Sequence, residues 1–560
     1  MTIFAAGVGP HNLEIDDAAG FMAPIVTSTF RGPRHDVDVQ GAGLIAGVLY
    51  HVRLDGAAAG DMRIPVDVIA RPEVNCLMLR RSWETLGRTM TGVGFSGIRW
   101  DTASAGWIPI PHTYFIGQML YSAEFYLRPA LGAARDCNDL QTMDEIAKYY
   151  VTMLQQTETV AALLSRPNVT AETKERLALV DRTSRTFVAP FDSQVGEGEL
   201  YNAQWLHPAA LLVRLVTLLP ESDRTPAMNV FATEYGPFII KEHLERYFVQ
   251  QHMPSLGARP RVGRIAQWEL AMQGLRGRDP WDSAMSDIDL WLLSSAAEML
   301  GAHANDPRLV PLTAQQVSML NLAISTGVRL FQSRRTYYPD TRDFLHSRVG
   351  SASYFNGDDV GHPDLAYSGV TSEALPTPDK RAVKQDASWD IGHAYRIPLF
   401  LRALYENRKA TGSRFPEFKD LQLVVNQYLY RVFNGDFTHP LFHNYFDGGD
   451  GWLRVGFNGP GYGNPPSLYC DMHDERRLCL TPGNIVGWGE LAFVNPDLAK
   501  LERSLIAMAF DESPATHAFR DRYYFYNAPY HLTSIDGALV YGNDLYFVIA
   551  EDASMIAPAQ

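Results

Sequence analysis

The sequence predicts a mainly α-helical protein, an (α/α)n toroid of helical hairpins with a small β-containing N-terminal region. Two observations predict it. From about residue 110 onward, ten stretches carry helical patterning: 113–131, 140–158, 170–183, 205–220, 236–252, 283–303, 312–333, 390–409, 417–433 and 497–510. Many repeat apolar residues at i, i+3, i+4 and i+7, as LFLRALYENR does. The connections between them, above all 334–388 and 434–489, are long and rich in Gly, Pro, Asn, Asp and aromatics. Loops beyond about 15 residues in a compact protein usually carry function. A simple bundle has less reason to carry them, so helical hairpins in a ring fit better. No repeat of fixed period is visible, and an irregular all-α enzyme is the plainer arrangement.

Taken in order, residues from about 24 to 82 differ from the rest. IVTSTF, GLIAGVLYHVRL, MRIPVDVIA and VNCLMLRR are short β-rich runs separated by Gly, Asp and Pro. The helical stretches follow, and the C-terminal GALVYGNDLYFVIAE returns to strand-like alternation. The expected organisation is a β-containing region over 1–100, a helical catalytic domain over 101–515, and an extension over 516–560 packed on it.

Composition narrows the function. The 560 residues are 46% hydrophobic and 20% charged, the balance of a folded globular chain and not of a disordered one. A formal charge of −14 argues against non-specific binding to nucleic acid, whose phosphates it repels. Aromatics make up 11%, including 10 Trp and 26 Tyr, enough to furnish stacking surfaces for sugars, although core packing also absorbs such a load. Four cysteines, Cys76, Cys137, Cys470 and Cys479, are too few for a disulfide scaffold and form no CxxC pair. Cys470 and Cys479 lie close enough in sequence to bridge in an oxidising compartment. No run approaches the roughly 20 apolar residues that span a bilayer, so no membrane partner is expected. The opening MTIFAAGVGPHN lacks the basic and apolar regions of a signal peptide. The expected location is cytoplasmic, or secreted or periplasmic where a leader has been removed. The oligomeric state is left open.

The segment richest in chemistry is 346–373, HSRVGSASYFNGDDVGHPDLAYSGVTSE. It gathers Arg348, Tyr354, Asn356, Asp358, Asp359, His362 and Tyr367 among glycines. Tyr and His give or take protons and Arg holds an anion, so the set suits a reacting site. The plainer reading is a turn-rich surface loop anchored by Tyr354 and Tyr367. NGDDVGHPDLAYSG resembles the DGS-x-x-x-H-x-x-x-x-Y-[ST]-G stretch of polysaccharide lyases built on an α/α toroid, such as hyaluronate and chondroitin lyases. The resemblance covers about 14 of the 560 residues. It sets Asn356-Gly357 on the family's Asp-Gly, His362 on its catalytic histidine, and Tyr367 with Gly369 on its aromatic-x-Gly. Four residues after Tyr367, where the family carries its usual catalytic tyrosine, stands Thr371. The implied proton donor is then Tyr354 or Tyr367. The family's upstream Asn motif has no counterpart, since Asn305 and Asn321 lack the expected neighbours.

Three further clusters complete the candidates. In Ser388-Trp389-Asp390-Ile391-Gly392-His393-Ala394-Tyr395-Arg396, residues Asp390, His393 and Arg396 are three apart and share a face at a helix start. Such a row suits a carboxylate ligand, helped by the helix dipole, and is similar to helix starts in toroid lyases and glycuronidases. Equally, Asp390 caps the helix and His393 is a core histidine. In 439–464, HPLFHNYFDGGDGWLRVGFNGPGYGNPP, Tyr445, Trp452, Phe457 and Tyr462 offer rings for stacking on sugars and Arg454 a grip for an acidic group. His439, His443 and Asp447 are four apart, but the Gly and Pro around them oppose the helix that a metal site would need. Cys470, His473 and Cys479 lack a fourth zinc ligand. In 199–208, ELYNAQWLHP, the residues Asn202, Gln204, Trp205 and His207 open an apolar helix loosely similar to helix starts of alginate-lyase-like toroids. No GxGxxG after a strand, Walker loop, HExxH or GxSxG occurs.

These features lead to the expectation of a polysaccharide lyase that cleaves a uronate-containing chain by β-elimination, with no cofactor and no metal. His362, Tyr354, Tyr367, Arg348 and His393 are the candidate catalytic residues. Arg396, Asn202, Trp205, His207, Asn356, Tyr445, Trp452 and Arg454 are the candidate substrate-binding residues. Arg348, Arg396 and Arg454 are expected to line one groove. The alternative is a toroid glycoside hydrolase acting on uronate or unsaturated uronyl sugars through paired aspartates drawn from Asp358, Asp359, Asp390, Asp447 and Asp450. A carbohydrate-binding protein without turnover is the third possibility.

Overall fold

A computed structural model describes strands and single residues up to 109. Beyond these it describes 123–155, 158–165, 185–186, 198–250, 263–274, 284–339, 350–354, 363–477 and 487–524 apart from a few positions, and 532–535 with 538–541. The described residues are mainly helical. The chain divides into two compact units, Met1–Asn75 and Cys76–Gln560.

The first unit is built of strands: β1 (Thr2–Phe4), β2 (Pro10–Asp16), β3 (Val26–Arg31), β4 (Arg34–Asp36), β5 (Leu49–Leu54) and β6 (Ala57–Arg63). β3, β2, β5 and β6 form an antiparallel sheet in that order, and β1 pairs with β4. The expected runs IVTSTF and GLIAGVLYHVRL supply β3 and β5. β2, PHNLEID, escapes a reading based on β-branched runs because its pleat alternates polar with apolar residues.

The boundary falls before 100 for a physical reason. Trp83 Nε1 donates to Glu145 at 2.9 Å, and Arg88 reaches both oxygens of the same carboxylate at 2.6 and 2.9 Å. Residues 80–109 therefore belong with the helices. The hairpin β7 (Ile98–Asp101) and β8 (Gly106–Pro109) lies in this part. The second unit runs on to Gln560.

The helices of the second unit that matter here are α1 (Ala123–Asp136), α2 (Leu140–Gln155), α3 (Val160–Leu164), α4 (Gly198–Leu218) and α5 (226–250, where α-turns alternate with wider π-turns). They continue as α6 (Arg264–Met272), α7 (Asp287–Asn305), α8 (Ala314–Ser333), α9 (Arg396–Glu406), α10 (Phe418–Gln427), α11 (Pro496–Phe510) and α12 (Pro514–Tyr523). Most begin within a few residues of the expected places; α1 is described from Ala123, and 113–122 and 170–183 lie outside the described residues. α7 is the centre of the unit. Its sequence LWLLSSAAEMLGA is apolar or small apart from Glu298, so it is buried all round against α4, α8 and α9. Ser286 and Asp289 close a capping box at its start. Asp289 also takes a bidentate bond from Arg264 and a 2.6 Å bond from Tyr247, which fixes α6 on α7.

Between α1, α4, α7, α9 and the turn Trp488–Leu491 lies a buried ionic network. Arg214 pairs with Glu298 and Glu406; Arg402 pairs with Glu406 at 2.7 Å and Glu490 at 3.1 Å; Arg128 pairs with Glu490 at 3.0 Å. Asn407 donates to Glu298 at 3.1 Å, an approach that Gly301 permits, since a Cβ there would stand 1.8 Å from the Asn407 amide oxygen.

β9 (Glu158–Thr159) pairs with β10 (Arg185–Thr186), and β11 (Arg335–Tyr338) pairs with β12 (Ser351–Tyr354), which leads toward the loops. The C-terminal hairpin β13 (Leu532–Ile535) and β14 (Ala538–Tyr541) meets the expectation of strand at GALVY.

Candidate functional site

The loops that precede α9 and follow α10 fold onto one another through backbone bonds. Gly369 N donates to Ala382 O, Trp452 N to Val370 O, Arg454 N to Asp364 O, Ile391 N to Asn444 O and Phe446 N to Trp389 O, at 2.7 to 3.0 Å. Gly451 is needed at this seam, because a Cβ there would stand 1.9 Å from the Ser368 carbonyl oxygen. Three sequence segments far apart in the chain, 363–373, 384–394 and 443–464, thus meet in one place.

Asp390 stands at the N-cap of the turn Ile391–Ala394, and its carboxylate receives His393 Nδ1 at 2.7 and 2.8 Å. Both side chains are partly exposed. Burial alone would raise the Asp390 pKa. The facing His393, its hydrogen bond, and the guanidiniums of Arg454 and Arg396 outweigh that and hold the carboxyl at about 2. A carboxylate so held must accept, so the Nδ1 of the imidazole carries the proton and Nε2 is the basic atom.

Arg454 is the second element. Its backbone is left-handed, φ 54°, rare for a residue with a Cβ and common at functional positions. Its backbone N donates to Asp364 O and its Nε to Asp364 Oδ2, both at 2.9 Å. This two-point bond ties the segment just after His362 to the field around Asp390. The guanidinium lies over the ring of Phe457 at 5.3 Å.

The other acidic groups are structural. Asp447 accepts from Ser388 N at 2.9 Å, Gly449 N at 2.6 Å and Lys384 Nζ at 2.6 Å. Asp450 accepts from Asn444 N at 3.1 Å and from the hydroxyl of Ser467 at 2.8 Å. Tyr445 sits among them, its hydroxyl donating to Trp452 O at 3.0 Å. Burial first, then Asp390, Asp447, Asp364 and Asp450, push its phenol well above the ordinary value.

Several expected roles do not survive burial. Tyr354 is fully buried, its ring stacked on Phe331 at 4.0 Å between centroids, and burial raises its phenol pKa. Its link to the 388–396 segment is its carbonyl, which accepts from Ser388 Oγ at 2.8 Å. Tyr367 is buried as well. Tyr445 and Trp452 cannot stack on a sugar, since both are core residues, and Trp452 Nε1 is spent on Ser372 O at 2.8 Å. Arg396 is buried beneath Trp291 and Tyr395 and lies 3.5 Å from Asp287, so it acts as an internal charge and lines no groove. Trp205 and His207 are inside α4, Trp205 within an aromatic cluster with Tyr149, Tyr150 and Tyr235. Asn202 belongs to α4 by its backbone. Arg348, Asn356, Asp358, Asp359 and His362 lie outside the described residues. His439 and His443 are not on a helix, and His443 Nδ1 donates to Gly448 O at 2.8 Å. No group of His, Cys, Asp and Glu fit to hold a metal exists among the described residues. Cys137 and Cys470 are both disulfide-bonded, which removes Cys470 as a zinc ligand; Cys76 and Cys479 lie outside the described residues.

The residue that sequence reasoning passed over is Asp364. It lies inside the lyase-like stretch, but its role depends on Arg454, 90 positions away. Comparison with protein-family models, curated proteins and solved structures returns no match.

Proposed function

We propose that this protein is a polysaccharide lyase that cleaves a uronate-containing chain by β-elimination, on a toroidal arrangement of its helical hairpins. The observation that carries the reading is the partly exposed Asp390–His393 pair beside Arg454. The C5 proton of a uronate is weakly acidic while the carboxylate at C6 stays charged. A cation at that carboxylate stabilises the anion that forms on proton removal, a task suited to Arg454. His393 Nε2 takes the C5 proton, and Asp390 holds the ring and stabilises the imidazolium. The C5–H electron pair becomes the C4=C5 double bond as the C4–O4 bond breaks. The imidazolium returns its proton to O4, so one residue serves as base and then acid. This route needs no tyrosine, which fits the burial of Tyr354 and Tyr367.

A glycosidase needs a carboxyl that remains protonated to serve as acid. Among the described candidates, Asp390 is held at about 2 and Asp447 and Asp450 are engaged by backbone and side-chain donors, so none of these three is suited to that role. The disulfides at Cys137 and Cys470 favour an oxidising compartment, outside the cytoplasm. Among the described residues no helix is long and apolar enough to cross a membrane.

The test is incubation with glucuronan, alginate, hyaluronan, chondroitin and pectate while the ultraviolet absorbance of a conjugated uronate double bond is followed. One polymer is expected to yield it. New reducing ends without that absorbance would establish hydrolysis instead.

A further inference from the structure

The loop 454–462 is built to hold one aromatic ring in water. Phe457 is 67% exposed, the most exposed large apolar side chain among the described residues. The turn that carries it is closed by backbone bonds: Phe457 N donates to Arg454 O at 3.1 Å, Gly456 N to Tyr462 O at 2.8 Å and Gly459 N to Gly456 O at 3.1 Å. Gly456, Gly459 and Gly461 all have positive φ, at 85°, 120° and 89°. With Arg454 at 54°, four left-handed positions in eight residues shape the turn that presents this ring. The loop base is fixed by the bridge between Leu453 and Asn464 and by the Arg454–Asp364 bond. A phenyl ring left in water forgoes its burial free energy, and here it lies beside the Arg454 guanidinium, 5.3 Å from the ring centroid, on a turn closed by backbone bonds.

We propose that Phe457 and Arg454 form a subsite for a pyranose ring bearing a carboxylate, the ring lying on Phe457 and the carboxylate beside the guanidinium. Sugar C–H faces suit an aromatic plane, and Arg454 adds the charge that separates a uronate from a neutral sugar. The proposal deepens the lyase reading and rests on it for the class of sugar. Of the six aromatics in 439–464, burial leaves Phe457 as the ring mostly open to solvent: Phe442, Tyr445, Phe446 and Trp452 are in the core and Tyr462 is half-buried. The same guanidinium helps to hold Asp390 ionised, which links the platform to the proposed reacting pair.

The test measures binding apart from turnover, by calorimetry on the full chain carrying His393→Ala. The probes are a short glucuronate oligosaccharide and the same oligosaccharide with its carboxyls reduced to alcohols. Phe457→Ala is expected to weaken both about tenfold. Arg454→Lys, which keeps the charge but not the fork, is expected to weaken only the carboxylated probe, severalfold or more. Phe457→Tyr should restore binding, which separates stacking from loop collapse. Unchanged affinity in Phe457→Ala would overturn the subsite, as would equal loss of both probes in Arg454→Lys. The two readings fail separately. Double-bond formation by the wild type with no effect of Phe457 on binding removes the subsite alone. Binding that depends on Phe457, without any elimination product, removes the lyase alone.

Discussion

Two regions of the second unit are dense in ionised groups, and they are built in opposite ways. In the network between α1, α4, α7 and α9, Arg128, Arg214 and Arg402 meet Glu298, Glu406 and Glu490, all buried or nearly so. In the loop region, Asp364, Asp390, His393 and Arg454 are each partly exposed, on loops and short helical turns. The network spends its charges on one another, and its geometry is set by helices. The loop region holds its charges at the surface, where a ligand can reach them, and places one of them on a strained backbone. Charge density alone does not mark a site; charge that stays accessible while the scaffold fixes its position does.

The largest effect should come from breaking the network. Glu406→Gln keeps the shape but leaves Arg214 and Arg402 facing fewer carboxylates in the interior. Burial alone would raise the pKa of Glu406, yet these arginines and Arg135 hold it well below the ordinary value, so the ionised form is the one the fold depends on. Removing one partner of such a set typically costs about 3–5 kcal/mol. Urea unfolding of the full chain should show that loss. A midpoint within error of wild type would mean that the network contributes specificity of packing and little stability.

The reverse contrast is expected at the loops. His393→Ala should lower turnover by roughly 10²–10⁴-fold, the usual range for a lost acid–base group, with little change in the urea midpoint. Asp390→Asn should also act on turnover, because an amide can donate to Nδ1 where the carboxylate can only accept, so the tautomer is no longer fixed and the imidazolium loses its counter-charge. Steady-state rates on the responsive polymer would check both. A variant that loses rate and stability together would place His393 with the network and not with the site.

How much of this contrast could be read from the sequence depends on the range of the interactions. The i, i+3 spacing of Asp390 and His393 is local, and the pair forms as the helix-start reading allows. The mostly apolar run of α7 is local too. The Arg454–Asp364 bond joins residues 90 apart and is set by how two loops cross, which no spacing encodes. Aromatics misled in another way. In Trp452-Leu453-Arg454 strict alternation would turn Trp452 and Arg454 to one side, yet Trp452 is in the core and Arg454 is about one-third exposed. The positive φ at Arg454 breaks the alternation, and it follows from the bond to Asp364, not from composition.

A third, intermediate effect concerns pH. Burial, and then the nearby charge of Arg246, lower the pKa of His243 from its ordinary 6.5 to about 3. The unfolded chain therefore binds a proton between these values that the folded chain does not. Stability should fall as pH drops from 6.5 toward 3, by at most about 1.4 kcal/mol per pH unit. Thermal midpoints at pH 7 and pH 5 would show it, with a smaller difference in His243→Gln. Asp390 acts in a lower window. Its stabilisation is present above the ordinary carboxylate value of 3.8 and is lost as pH falls through about 2.

The smallest effect is expected at Tyr354, and it bears most directly on the chemistry. The resemblance makes this tyrosine, two residues before the lyase-like stretch, an acid–base candidate because Thr371 stands where the family has its own. Its side chain is instead fully buried, with the ring stacked on Phe331 and the phenol pKa raised by burial. An acid that must protonate O4 has to reach solvent-accessible substrate, and one with a raised pKa yields its proton reluctantly. What Tyr354 contributes to the loops is its carbonyl, which holds Ser388 Oγ, and that bond is independent of the phenol. Tyr354→Phe should therefore retain turnover within about a factor of two, well short of the 10²-fold or greater loss typical of a removed acid. Initial rates on the responsive polymer decide the matter. A loss of that larger size would mean that the phenol reaches the substrate in the working enzyme, and would return the second proton transfer to a tyrosine and away from His393.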